Sequence, residues 1–366
     1  MDVYDWIDSE TALASWIAAQ PVPAVIGLDT EFMRTDTFRA RLALVQAEIG
    51  GRTAVIDAPA LNGHAALAAR LADPQNLCVM HSASEDLEAL SAILPVGPAT
   101  LFDTQIAAAM AGFGPGLSYQ KLVAALLGVD LPKGETRSDW LKRPLSPAQL
   151  DYAAQDVEHL PQIHGLLAEK LAALGRSEWL AEDCRKLVAK VCRAEPDAQP
   201  QRAFPRAADW PRESQALLRR VLLWRETMAR SQDKPRSWIL DDARALDLAA
   251  QPPRDGAELF ERCKGLRALR GPQRQQLLEV LHAPLAMEEL DFAPIPPPLS
   301  SADRRRLGAL REAVGAIAQS LDIPDGLLCP RRHLEALVNE RAWPAALEGW
   351  REPLLHEALM ARLGVP

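Results

Sequence analysis

The sequence of 366 residues is poor in aromatic side chains, at 5%, and contains five cysteines. Cys78, Cys184, Cys192, Cys263 and Cys329 are odd in number, scattered and without a CxxC spacing. That pattern argues against a disulfide framework and a cysteine-held zinc ion, and a reducing cytoplasm suits it best. Long apolar runs are also missing. The longest stretch free of charged residues, between Asp103 and Lys121, is broken by Gly112, Gly114, Pro115 and Gly116, so no membrane-spanning helix is expected. The chain starts Met-Asp-Val-Tyr-Asp, with no basic patch ahead of an apolar segment, and a secretory signal is not expected. An excess of positive charge is missing too, since 41 Lys and Arg face 49 Asp and Glu for a net charge of −8. A polyanionic partner therefore requires metal ions among the acids, or local basic faces.

What is present is the composition of a globular protein, 48% apolar and 25% charged, with length for two or three domains. The acidic excess lies within residues 1–195, whereas the remainder is close to neutral and rich in arginine. Two proline-rich stretches, one with Pro196, Pro200, Pro205 and Pro211 and one with Pro294, Pro296, Pro297 and Pro298, read as extended linkers. They divide the chain into 1–195, 210–290 and 299–366, the last two short and helix-forming in composition.

In the first section, Ala24–Glu31, Arg41–Glu48 and Thr53–Asp57 are short apolar runs bounded by turn residues and predict three successive strands. Leu77–His81 and Thr100–Asp103 predict two more, each after a helical segment (about 63–71 and 84–94), giving an order βββαβαβ and a mixed α/β fold. A helical tail follows: 118–127, then one long helix opened by Ser146-Pro147 and running to about Leu174, then 178–192.

Three acidic pieces stand out against this frame. Asp29 and Glu31 are two apart on the first strand and share a face, with no basic neighbour in sequence. Two such charges at 4 Å repel by about 4 kcal/mol at an effective dielectric near 20, a cost that a bound divalent cation removes. Taken alone, the pair also reads as solvated turn residues. Asp86 falls in the first turn of a helix that Ser84 can cap, at the strand edge where α/β sheets place their sites, although an acid there also serves the helix dipole. Tyr152 and Asp156 are spaced i, i+4 on the long helix and reach one point in space.

The order and types of these pieces resemble the DEDD exonuclease superfamily in its tyrosine-bearing subgroup. The strings LDTEFMRTDTFRARLALVQ, HSASEDLEAL, FDTQIAAAM and KGETRSDWLKRPLSPAQLDYAAQDVEHL look like the bacterial ribonuclease D family, over about residues 22–195. The resemblance implies a ribonuclease-H-like sheet flanked by helices, and a metal site of Asp29, Glu31, Asp86 and Asp156 holding two Mg²⁺ or Mn²⁺ ions. It implies that Asp29, Glu31 and Asp156 bind the ion that activates water, that Asp29 bridges to the second and that Asp86 supports that one. Tyr152 would orient the attacking water, its pKa near 10 being too high for a base at neutral pH. Thr30 and Phe32 are candidates to meet the terminal nucleotide. His81 is a candidate substrate contact but not a catalytic group, and Arg137, Ser138, Asp139 and Trp140 form a polar-aromatic cluster whose Arg137 and Trp140 are candidate RNA contacts.

Residues 210–290 resemble the helicase-and-ribonuclease-D C-terminal (HRDC) domain, and 299–366 a degenerate second copy, so two small all-α modules are expected. Arg219, Arg220, Arg225 and Arg230 in the first, and Arg304, Arg305 and Arg306 in the second, are candidate phosphate contacts. The reading implied is a monomeric, cytoplasmic, metal-dependent 3′→5′ exoribonuclease. Its expected partner is RNA with a free 3′ end, such as transfer-RNA precursors, and its product nucleoside 5′-monophosphates. The rivals are a DNA 3′→5′ exonuclease of the same superfamily and a catalytically silent RNA-binding scaffold.

Overall fold

The computed structural model describes residues 4–132, 134, 138–192 and 195–364. They fall into two compact units, one of Met1–Met33, Arg41–Ala194 and Ser301–Pro366, the other of Arg34–Ala40 and Glu195–Ser300. Among the described residues, no helix is long and apolar enough to cross a membrane.

The first unit is built on a six-stranded mixed sheet. Its strands are β1 (Asp5–Ile7), β2 (Val25–Met33), β3 (Arg41–Ile49), β4 (Arg52–Asp57), β5 (Leu77–Met80) and β6 (Leu101–Asp103), in the spatial order β1-β4-β3-β2-β5-β6. The predicted meander is β2-β3-β4, antiparallel throughout, while β5 and β6 add in parallel beside β2 and β1 pairs in parallel with β4. β1, one of the two edge strands, was not expected, because three residues show no alternation to read. β3 lies between two partners and is buried almost end to end, which explains its near-continuous apolar run Leu-Ala-Leu-Val. The register of β2 against β3 shifts between Glu31 and Phe32, a β-bulge at the end of the acidic pair.

Helices of this unit are α1 (Glu10–Ala18), α2 (Ala65–Ala72), α3 (Ser84–Leu90), α4 (Thr104–Met110), α5 (Tyr119–Leu127), α6 (Pro147–Glu158), α7 (Leu160–Ala173) and α8 (Ser177–Cys192). α6 starts where the Ser146-Pro147 signal places it, with a capping box in which Ser146 accepts from Gln149 N and Gln149 reaches back to Ser146 N. The single helix predicted over 146–174 is in fact two, interrupted at His159.

In the second unit, α9 (Arg212–Gln232), α10 (Arg236–Ile239), α11 (Asp242–Ala250), α12 (Gly256–Arg262) and α13 (Gly271–His282) enclose a core that includes Leu218, Val221, Ile239, Leu248 and Leu277. The segment Arg34–Ala40 joins it through Asp233, whose carboxylate accepts from the backbone N–H groups of Phe38 (3.1 Å) and Arg39 (2.9 Å).

The C-terminal helices α14 (Ser301–Ser320), α15 (Asp325–Leu328), α16 (Arg331–Glu340) and α17 (Glu352–Leu363) belong to the first unit. Their fastening is polar and buried. Arg351 forms a bidentate pair with Asp183 of α8 (2.6 and 2.7 Å) and also donates to the carbonyls of Leu327 and Leu328. Trp350 donates to the same carboxylate at 3.0 Å and stacks on Trp179 at 4.5 Å. Arg176 spans from Met110 O to Leu321 O.

Removing one partner of a buried, bidentate pair leaves the other charge uncompensated. Asp183→Ala is therefore expected to cost about 3–5 kcal/mol in urea unfolding. The exposed pair Arg331–Glu335 serves as control, and Glu335→Ala should cost no more than about 0.5 kcal/mol.

Candidate active site

β2 and α6 supply three of the four acids. Carboxylate oxygens of Asp29, Glu31 and Asp156 all lie within 4.8 Å of one another. Alternation along β2 puts Asp29 and Glu31 on one face, and α6 lies across that sheet with Ala153, Ala154 and Val157 buried, small enough to let the helix come close. One turn before Asp156, the Tyr152 hydroxyl is hydrogen-bonded to the Asp156 carboxylate.

Asp86 arrives from the other side of β2. It is buried in the first turn of α3 and accepts a hydrogen bond of 2.6 Å from the Thr30 hydroxyl, which ties it to the residue between Asp29 and Glu31. The expected Ser84 cap is absent, since α3 begins at Ser84 itself with no side-chain cap. In its place Asp103, at the end of β6 and only 2% exposed, accepts from the N–H groups of Ser82 (3.3 Å) and Ala83 (2.9 Å) and caps α4 through those of Gln105 and Ile106. That carboxylate stabilises a turn in which Ser82 takes a left-handed φ of 62°, uncommon for a residue other than glycine.

Burial, with repulsion from neighbouring acids, pushes all four toward the protonated state. Glu31 rises to about 8, first through desolvation and then through Asp156 and Asp86. Asp156 rises to about 7 through burial, against the Tyr152 hydrogen bond. Asp86 rises to about 6, again mainly through burial and moderated by Thr30. Asp29 is raised by burial and then by Asp86, Asp156 and Glu31. Tyr152 moves further above its ordinary value, chiefly by desolvation and then by the Asp156 charge, so its hydroxyl keeps its proton. A converging set of hard oxygen donors carrying unrelieved negative charge fits a divalent cation of the Mg²⁺ or Mn²⁺ kind.

The other predicted contacts are placed differently. Thr30 is buried and spends its hydroxyl on Asp86 instead of a nucleotide. Phe32 sits half-buried at the bulge. His81 is a brace and not a substrate contact, because Nδ1 meets Thr104 Oγ1 (2.9 Å) and Nε2 meets Leu117 O (3.0 Å). Trp140 is 2% exposed, packed with Leu44, Val55 and Ala154 and 6.1 Å from the Tyr152 ring, so no base can stack on it. Arg137 lies outside the described residues. In the second unit, Arg220 is held by Glu289 and the carbonyls of Val280, Ala283 and Pro284, and Arg225 is buried against Asp242 and Leu240 O. Neither is available to a phosphate. Arg219 remains half-exposed, with one nitrogen on Ala198 O.

Sequence reasoning missed Arg143 and Gly134. Arg143 clamps the loop before α6, bidentate to Asp57 (2.6 and 2.9 Å) and donating to the carbonyls of Ala43 and Trp140. Gly134 lies so close to Tyr152 that any Cβ there would overlap the ring. An arginine before a proline and a glycine in a loop carry no local mark of such contacts.

Comparison with known proteins agrees with this geometry. A family described as 3′-5′ exonuclease matches residues 4–172, and the HRDC domain matches residues 214–270. The chain is 43% identical to ribonuclease D of Xanthomonas oryzae pv. oryzae over 98% of both chains. It is 34% identical to that of Pseudomonas paraeruginosa, over 98% of this chain and 97% of the other. Among solved structures, Escherichia coli RNase D, titled an exoribonuclease involved in structured RNA processing, superposes with a TM-score of 0.84 at 29% identity, covering 99% of this chain and 98% of that one.

Because the folded-state value of Glu31 lies above its ordinary one, ionising it costs stability, and that cost is complete only above pH 8. In EDTA, Glu31→Gln should therefore melt higher than the unaltered protein, by a margin that widens from pH 5 to pH 8 to about 5 °C. Gly134→Ala, which displaces the Tyr152 ring, should lower turnover about 100-fold with KM nearly unchanged in steady-state kinetics.

Proposed function

Because the chain belongs to the ribonuclease D family of 3′→5′ exoribonucleases, we propose that its four acids hold two divalent cations and that it trims structured RNA, transfer-RNA precursors included, from the 3′ end. The observation that carries this reading is the convergence of Asp29, Glu31 and Asp156 within 4.8 Å, with Asp86 joined to them through Thr30. Asp29, Glu31 and Asp156 would hold one ion, and Asp29 and Asp86 a second. When bound, divalent cations supply water activation at neutral pH and neutralise charge on the scissile phosphate.

The protein's own residues do the positioning. A Tyr152 hydroxyl that keeps its proton donates or accepts a hydrogen bond without serving as a base, and its anchor on Asp156 fixes where the attacking water sits. Thr30 keeps Asp86 aimed at the same point, and Asp103 holds the turn that delivers it. Products are nucleoside 5′-monophosphates released singly.

RNA contact away from the site is supported by a cationic and aromatic face of the second unit, not by the paired arginines of α9. Arg267 lies 4.9 Å and Lys234 5.8 Å from the Trp238 ring, whereas Arg230 and Arg236, beside Phe38, are both paired with Glu226. The Trp238 cluster offers phosphates a charge and bases a flat surface.

Incubation of RNA labelled at its 5′ end, with Mg²⁺, Mn²⁺ or EDTA, tests the reading. A ladder shortening from the 3′ end only in the presence of metal is expected. Loss of a metal ligand removes several kcal/mol of transition-state stabilisation, so Asp156→Asn should cut the rate about a thousandfold or more while RNA binding persists. Normal turnover by that variant would remove Asp156 from the metal site.

A further inference from the structure

The break between α6 and α7 has a specific occupant. Tyr119, the first residue of α5, is buried, and its hydroxyl lies between Gln155 O (3.3 Å) and His159 N (3.2 Å). Those two groups stand four residues apart and would bond directly to each other in a continuous helix. The hydroxyl instead donates to the carbonyl and accepts from the amide, so neither is left without a partner by the opened turn. The amide of His159 also points at Val157 O, two residues back. Pro161 makes the opening permanent on the next rung, because it has no N–H for the Val157 carbonyl.

The opened turn rests on the strand that carries two of the acids. A Cβ built on Gly27 would meet Leu160 Cβ at 3.1 Å, Val157 O at 3.2 Å and Pro161 Cδ at 3.3 Å, so the helix junction sits on β2 two residues before Asp29. Asp156 lies inside the interrupted turn, between Gln155 and His159. The far face of the Tyr119 ring is supported by His81, with centroids 5.8 Å apart, and His81 is itself fixed through Thr104 and Leu117.

We propose that Tyr119 is a positioning residue for Asp156: its hydroxyl holds the α6–α7 turn open, and the open turn is what brings the Asp156 carboxylate to Asp29 and Glu31. Without the hydroxyl, Gln155 O and His159 N can close on each other, which tightens the turn and swings Asp156 away from β2. The phenyl ring contributes only packing, so Tyr119→Phe separates the two contributions. The proposal rests on the metal-site reading above.

The test is calorimetric titration of the full chain with Mn²⁺, for the unaltered protein, Tyr119→Phe, Asp156→Asn and the double variant. Outer residues that orient metal ligands typically change affinity by about 10–100-fold, and Tyr119→Phe is expected to weaken Mn²⁺ binding about tenfold. RNA binding in EDTA should stay unchanged. In the Asp156→Asn background the same substitution should cause no further loss, since it acts through Asp156. Absence of Mn²⁺ binding by the unaltered protein would overturn the metal site itself. Equal Mn²⁺ affinity of Tyr119→Phe and the unaltered protein, or an additive loss in the double variant, would overturn the role of Tyr119. A lowered melting temperature with intact Mn²⁺ affinity would likewise overturn it, leaving the hydroxyl a purely structural bond. Should Tyr119→Phe fail to fold, Pro161→Ala in the unaltered protein provides the second arm. With the hydroxyl still in place its Mn²⁺ affinity should remain within about twofold, whereas a tenfold loss would mean that Pro161 alone holds the turn.

Discussion

The crowding of four carboxylates, Asp86 buried and the other three half-buried, governs this structure. Desolvation and like charge raise all four, Glu31 to about 8 and Asp156 to about 7, so the arrangement is a strained one held by its surroundings. Side chains free to move would relieve the repulsion by turning apart. They do not because they are anchored on three rigid elements: Asp29 and Glu31 on β2 where it pairs with β3, Asp156 on a capped helix, and Asp86 on a short helix seated by a buried acid. The frame thus spends its rigidity on keeping negative charge together, which is the condition for strong and selective capture of a divalent ion.

The anchors form a connected set. Asp103 caps α4 and holds the turn before α3, while Thr104 next to it bonds His81. His81 lies against Tyr119, and Tyr119 fills the gap in the turn that contains Asp156. Thr30, between the two acids of β2, completes the circuit by bonding Asp86. Most links are neutral groups or carboxylates satisfied by backbone N–H. Additional cations would compete with the metal for the acids, and the nearby cations Arg143, Lys186 and Arg351 pair with Asp57, Glu182 and Asp183, not with Asp29, Glu31, Asp86 or Asp156.

How much of this was legible depended on the distance over which each signal acts. The five residues Asp29, Glu31, Asp86, Tyr152 and Asp156 could be read because their spacing on a strand or a helix is local and their order is shared with a known family. The meander was legible from short apolar runs, and the start of α6 from Ser146-Pro147. Features fixed by tertiary contact were not legible. Ser84 has the chemistry of a cap, yet Asp103, distant in sequence, satisfies that turn. Pro161 lies at the second position of α7, where proline is welcome, so it gave no sign that the helix had already been interrupted. Trp140, Arg220 and Arg225 have the chemistry of nucleic-acid contacts, and only the fold shows that packing and internal ion pairs consume them.

The C-terminal helices make the same point about charge. Arg351, which the sequence reading did not single out, is buried and bound to Asp183 of α8. A buried ion pair gains little net energy over apolar packing, but it is intolerant of misalignment, so the bidentate Arg351–Asp183 contact and the stacked Trp350–Trp179 pair fix one register between α8 and the tail. Asp183 is followed by Cys184, whose sulfur accepts from the backbone N–H of Asp103. The helix that receives the tail therefore also touches the residue that seats Asp86. A tail docked in one register keeps α8 in one place, and a fixed α8 is one more restraint on the geometry in which Asp29, Glu31 and Asp156 meet and Asp86 is held beside them through Thr30.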